Sequence, residues 1–183
     1  VIISPKEFVE AATRLAKKHE EVDHLTWAVV TDEQVYNEFS SGTPDVSAYR
    51  WLMKMLYDRA GGNAVHAPKY LLLMGNASYD NRKLLQSSGV STLLVYEARN
   101  STIETHAYGT DDYCGFLEDN AGVDIILGRF NDANGIMNIG VGRLPVRTEQ
   151  QANQVVDKIC TYIDDQLLGK WKSQLCFLAD DGD

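Results

Sequence analysis

No apolar run in this chain approaches the roughly 18 residues that a bilayer-spanning helix needs, so the sequence contains no membrane span. Positive charge is also scarce. Lys and Arg number 17 against 26 Asp and Glu, the net charge is −9, and no basic run exceeds Lys17-Lys18. Phosphate backbones are gripped by clustered cations, so nucleic acid is excluded as a partner. Neither GxGxxG nor GxxxxGK[ST] occurs, which removes the standard loops for dinucleotides and nucleotides. The four histidines, His19, His24, His66 and His106, are not spaced from one another or from a Glu as a zinc site requires. Three cysteines, Cys114, Cys160 and Cys176, cannot all pair and lack metal-ligand spacing; Cys160 in a helical pattern and Cys176 in a strand read as buried small hydrophobes. There is no initiating Met and no signal-peptide pattern, and a piece of something larger is the simpler explanation.

What is present is an ordinary folded domain. Apolar residues at 44% and charged residues at 23% exclude wholesale disorder, and 183 residues suffice to bury one core. The triplet 1–3 reads as a strand, followed by Ser4, Pro5 and Glu7 as a capping box and Phe8, Ala11, Ala12 and Leu15 as the stripe of a helix to about His19. Residues 24–31 (HLTWAVVT) are dense in apolar and β-branched side chains, which predicts a central strand covered on both faces. Thr43-Pro44 signals another helix start, and Tyr49, Leu52, Met53, Leu56 and Tyr57 supply its stripe up to Gly61-Gly62. Residues 70–74 (YLLLM) predict a buried strand ending in a turn at Gly75-Asn76. The order β-α-β-α-β implies a parallel sheet with right-handed crossovers.

From about 77 to 138 the pattern loosens into an irregular insertion, with short strand candidates at 91–96 and 124–127. Regularity returns in 139–146 (IGVGRLPV), a strand ending at proline, where Gly140 and Gly142 indicate close backbone packing. Thr148 with Gln151 forms a further capping box. Ala152, Val155, Val156, Ile159 and Ile163 then line a long helix, and residues 174–179 (QLCFLA) predict a last buried strand. The fold class expected is α/β: one three-layer α/β/α sandwich over 1–183, with a mostly parallel sheet of about five strands.

Two groups of side chains have the composition of sites. Asp111, Asp112, Glu118, Asp119 and Asp124 carry the oxygen ligands that calcium favours in flexible loops, and a solvated acidic loop reads equally from the same residues. The final residues 179–183 (ADDGD) put carboxylates where a strand ends, a place at which the sheet would hold an acid that orients a histidine or binds a cation. Cys114 and His106 are near one another only in sequence, which makes a weak nucleophile-base pair.

Four segments in order, 70–80 (YLLLMGNASYD), 110–115 (TDDYCG), 139–146 and 169–171 (GKW) with 179–183, resemble the landmarks of gingipain-type cysteine peptidases, and within them the PorU-like sortases that act as signal peptidases of type IX secretion. The resemblance implies that this chain is the first of two α/β halves of a catalytic domain. The catalytic His and Cys would then lie in the second half, on none of the His or Cys residues here. It places the acid that orients the histidine on Asp181, with Asp180 as its neighbouring alternative. It implies a parent at the cell surface or outer membrane of a Gram-negative bacterium, with secreted proteins as substrates and secretion-system components as partners. No cofactor is implied for the chemistry. A structural calcium is a further expectation with no ligand assigned, because Asn76 stands where the family has a carboxylate resembling part of a calcium site. Two rival readings are a surface scaffold that has lost its dyad and a free-standing flavodoxin-like regulatory domain.

Overall fold

The computed structural model describes residues 1–85, 92–97, 103, 107–119, 136–164 and 169–177. The strand expected at 124–127 and both candidate acids, Asp180 and Asp181, lie outside these residues, as do His106 and Asp124. Strand β1 (Ile2–Ser4) leads through a 3-10 turn into α1 (Val9–Asp23), then β2 (Val29–Thr31), α2 (Asp32–Phe39), α3 (Val46–Arg59) and β3 (Tyr70–Met74). Within the insertion, β4 (Tyr96–Glu97) pairs antiparallel with β5 (Gly109–Thr110). Strand β6 (Gly140–Leu144) and helix α4 (Glu149–Asp164) complete the regular elements.

Four strands make one wholly parallel sheet in the order β2-β1-β3-β6. Alternate side chains on each strand face opposite layers. Ile3, Leu71 and Leu73 meet Val35, Tyr36, Tyr49 and Met53 from α2 and α3, while Ile2 and Met74 meet Phe8, Leu15, Ala152 and Val156 on the α1 and α4 side. The chain leaves β1 in one direction to reach β2 and returns past β1 to reach β3. Right-handed crossovers in opposite directions put their helices on opposite faces, which accounts for the third layer. The α/β/α sandwich expected from the sequence is therefore present.

Several local expectations are corrected. Ser4 belongs to β1 and is fully buried, its hydroxyl without a hydrogen-bond partner, so it caps no helix. Helix α1 runs four residues beyond His19 and is closed by His24 in the left-handed region, at φ 55°, whose N–H reaches the carbonyl of Glu20. That closure uses up the start of the expected strand, leaving only Val29–Thr31, and β2 is a half-buried edge strand rather than a central one. Asp45, two residues past Thr43, caps α3 by accepting from the Ser47 amide at 2.8 Å. The capping box at Thr31 and Gln34 that starts α2 has an S/T-x-x-E/Q signature that the sequence reading passed over. The box at Thr148 holds: its hydroxyl accepts from the Gln151 amide, while the Gln151 side chain reaches back to the Arg147 amide.

The last described segment departs most from expectation. After a 3-10 turn at Lys170–Ser173, residues 174–177 belong to no sheet, and Leu175 and Phe177 are 81% and 87% exposed. Among the described residues the main sheet has four strands, against about five expected.

Candidate functional site at the carboxyl ends of the strands

In open parallel sheets, ligands collect outside the carboxyl ends of the strands. Here the ends of β3 and β6 border an open cleft of about 440 Å³, lined by Asn76, Leu144, Pro145, Val146, Arg147 and Gln151 among others. The Asn76 amide donates to the Val146 carbonyl at 2.8 Å, which ties the β3 turn to the chain leaving β6. Its own carbonyl accepts from the amides of Thr92 and Leu93, so the insertion lies directly across the turn. Gly75 permits this approach, since a Cβ there would stand 2.6 Å from Thr92 Oγ1 and 2.8 Å from Leu93 Cγ.

Arg143, next to last in β6, binds the same corner from within. Its Nε and Nη2 each donate to a different oxygen of Asp111 at 2.7 Å, a bidentate pair. Nη1 donates to the Gly75 carbonyl at 2.9 Å and Nη2 also to that of Leu94 at 2.8 Å. One guanidinium thus joins the end of β3 to two separate parts of the insertion. The Arg143 and Asp111 side chains are only 11% and 21% exposed. The sequence reading of 139–146 explained only its glycines. Gly140 does pack closely, with a Cβ position 3.0 Å from the Tyr70 ring, whereas Gly142 faces open space. A charged side chain inside an apolar parallel strand was the overlooked signal, because Arg is rarely buried without a partner.

Helix α3 anchors the far side of the insertion. Arg50 donates to the carbonyls of Phe116 and Glu118, and Lys54 to that of Leu117. Tyr113 stacks on Tyr96 with ring centroids 4.3 Å apart, and its hydroxyl bonds Ser47. These contacts decide what the acidic residues can do. Asp111 is engaged by Arg143, Glu118 accepts from Tyr57 and Asn138, and Asp119 pairs with Lys54 at 2.8 Å. The Lys54 ammonium, through its hydrogen bond and charge, holds the Asp119 carboxyl below the usual carboxylate range. Asp112 sits in the 3-10 turn Asp112–Gly115 with its backbone amide bonded to the Thr110 hydroxyl. Among the described residues, which do not include Asp124, no three His, Cys, Asp or Glu form a group that could hold a metal.

Two other carboxylates lie beside the insertion. Asp80 is buried and accepts from the amides of Leu84 and Leu85. Burial, with the Asp80 charge adding to it, raises the Glu97 carboxyl. Asn81 bridges them to the chain by bonding both backbone groups of Val95 and one Glu97 oxygen.

The described histidines all stay at the surface. His19 meets Asp23 one helical turn away, His24 closes α1, and His66 lies in the turn before β3. Cys114 is sealed in the core, and burial pushes its thiol up to about 12, with the Asp111 charge as a second cause. A thiol that stays protonated at neutral pH is no nucleophile. Of the three cysteines expected to be buried, Cys160 is half-buried and Cys176 is exposed. Brief treatment of the native protein with iodoacetamide at pH 8 should alkylate Cys176 and spare Cys114, as read by peptide mass spectrometry. Equal labelling of Cys114 would contradict its burial.

Comparison with known proteins accounts for this architecture. The model of peptidase family C25 matches residues 1–183. A comparison with curated proteins returned no match. Among solved structures, dimeric latent PorU from Porphyromonas gingivalis superposes with a TM-score of 0.77 at 39% identity, over 97% of this chain and 17% of the PorU chain. The chain thus spans less than a fifth of that protein. With the family model matched from end to end and the same fold found within PorU, the chain belongs to peptidase family C25, the gingipain family.

Proposed function

We propose that this chain is the first half of the catalytic domain of a cysteine peptidase, and that its parent removes carboxy-terminal sorting signals from proteins exported by type IX secretion. The observation carrying the reading is the 39% identity to PorU across 97% of the chain. It is supported by the match of the peptidase family C25 model to residues 1–183. The parent would work at the outer membrane of a Gram-negative bacterium, with secreted proteins as substrates, secretion-system components as partners and the second half of the domain packed against this one.

In this reading a thiolate beyond this half attacks the scissile carbonyl. A histidine takes the thiol proton and returns it to the leaving amine, and water then releases the acyl group. The contribution of this chain is Asp181, with Asp180 as alternative: a carboxylate that accepts from the histidine ring N–H, fixes its tautomer and steadies the imidazolium. No cofactor is needed for these steps, and no calcium ligand is assigned.

The test is proteolysis of a secreted protein that bears its sorting signal, followed by intact mass. The full-length parent should cut at one bond, while the 183-residue chain alone should leave the substrate whole. Cleavage by the isolated chain, or none by the folded parent, would overturn the reading.

A further inference from the structure

We infer that Arg143 is a positioning residue for substrate: through Asp111, Gly75 and Leu94 it holds residues 92–97 and 109–115 of the insertion as a fixed wall beside the cleft at the ends of β3 and β6. The inference rests on the peptidase reading above and goes beyond it, since that reading assigns Arg143 no part. Three observations carry it. First, the guanidinium makes four hydrogen bonds of 2.7–2.9 Å to three separate stretches of backbone or side chain, two of them in the insertion. Second, the stretch it holds at Leu94 continues from Thr92 and Leu93, whose amides bond the carbonyl of Asn76. Asn76 itself lines the cleft, so the wall is hydrogen-bonded to a residue of the cleft.

Third, a mostly buried ion pair is a poor device for stability alone. Desolvating two charges costs about as much as their attraction returns, and apolar replacements of similar volume are often tolerated. What a bidentate pair adds is a fixed geometry. A polypeptide substrate crossing the strand ends needs a fixed surface there, because misplacement of a bound substrate raises the cost of reaching the transition state.

The test uses the full-length parent and its secreted substrate. In the double variant Arg143→Met/Asp111→Leu both charges go together, and no charge of the pair is left buried and unpaired. KM should rise about tenfold or more, with kcat within about threefold of wild type. Partial unfolding would do the opposite: it lowers the number of active molecules, hence apparent kcat, and leaves KM unchanged. An unchanged KM therefore overturns the inference whatever happens to kcat. Arg143→Lys is the second variant, for use if the double variant does not fold. It keeps a charge but not the planar fork, and its KM should rise as well, whereas a wild-type KM in Arg143→Lys would reduce Arg143 to a point charge and equally overturn the inference. Wild-type parent that folds but cuts nothing would refute the peptidase reading instead, a result separable from either variant outcome.

Discussion

Asp181→Asn in the full-length parent is expected to lower kcat by about 10²–10⁴-fold while leaving the fold intact. The size follows from the role. Asparagine keeps the shape of the side chain but can present an N–H where the histidine needs an acceptor, so the ring is held in the wrong tautomer and its imidazolium loses a counter-charge. Steady-state kinetics on a peptide carrying the sorting-signal junction, with circular dichroism as the fold check, would measure it. Asp180→Asn is the comparison, and the variant with the larger loss identifies the orienting acid. Unchanged kinetics in both would remove this stretch from the mechanism.

Arg143→Met alone should be among the most destabilising single substitutions in this half. It leaves the Asp111 carboxylate mostly buried with no cation beside it, and the carbonyls of Gly75 and Leu94 without their donor. Removing one partner of a buried pair costs roughly 3–5 kcal/mol, far more than removing both. Differential scanning calorimetry should show the transition carrying this domain move down by several degrees, and adding Asp111→Leu should restore most of the loss. Equal stability of the single and double variants would mean that water reaches Asp111 freely.

The sheet was legible in the sequence where strands were apolar on both faces. Residues 70–74 form a central strand of the sheet, and a five-residue run flanked by Pro68 and Gly75 has few other uses. Helix α4 was equally plain, because Thr148, Gln151 and the stripe from Ala152 to Ile159 all agree. Residues 24–31 misled because composition does not report where a preceding helix ends, and His24 in the left-handed region moved that end by four residues. Residues 174–177 misled differently. A continuous apolar run makes a strand only when a partner edge is available, and here Leu175 and Phe177 stand in solvent. At the candidate site, the turn at Gly75-Asn76 was visible as a turn, but its neighbours were not, since Arg143 lies 32 residues along the chain from Asp111 and 49 from Leu94. For the acidic residues, sequence gives proximity without partners: the side chains of Lys54, Arg143 and Tyr57, from other elements, engage Asp119, Asp111 and Glu118.

The order of strands in the sheet also sets an order in time. β1, β2 and β3 find one another within the first 74 residues, so most of the sheet can form while later residues are still being synthesised. β6 joins only after some 65 further residues have been looped out, and closing a loop of that length costs entropy that local contacts do not repay. Arg143 arrives with β6 and finds Gly75 already in place, with Asp111 and Leu94 in the loop just closed. The guanidinium therefore acts as a late latch, and chains stalled before it engages would present an open β3 edge, the surface on which misassembly between newly made copies would begin.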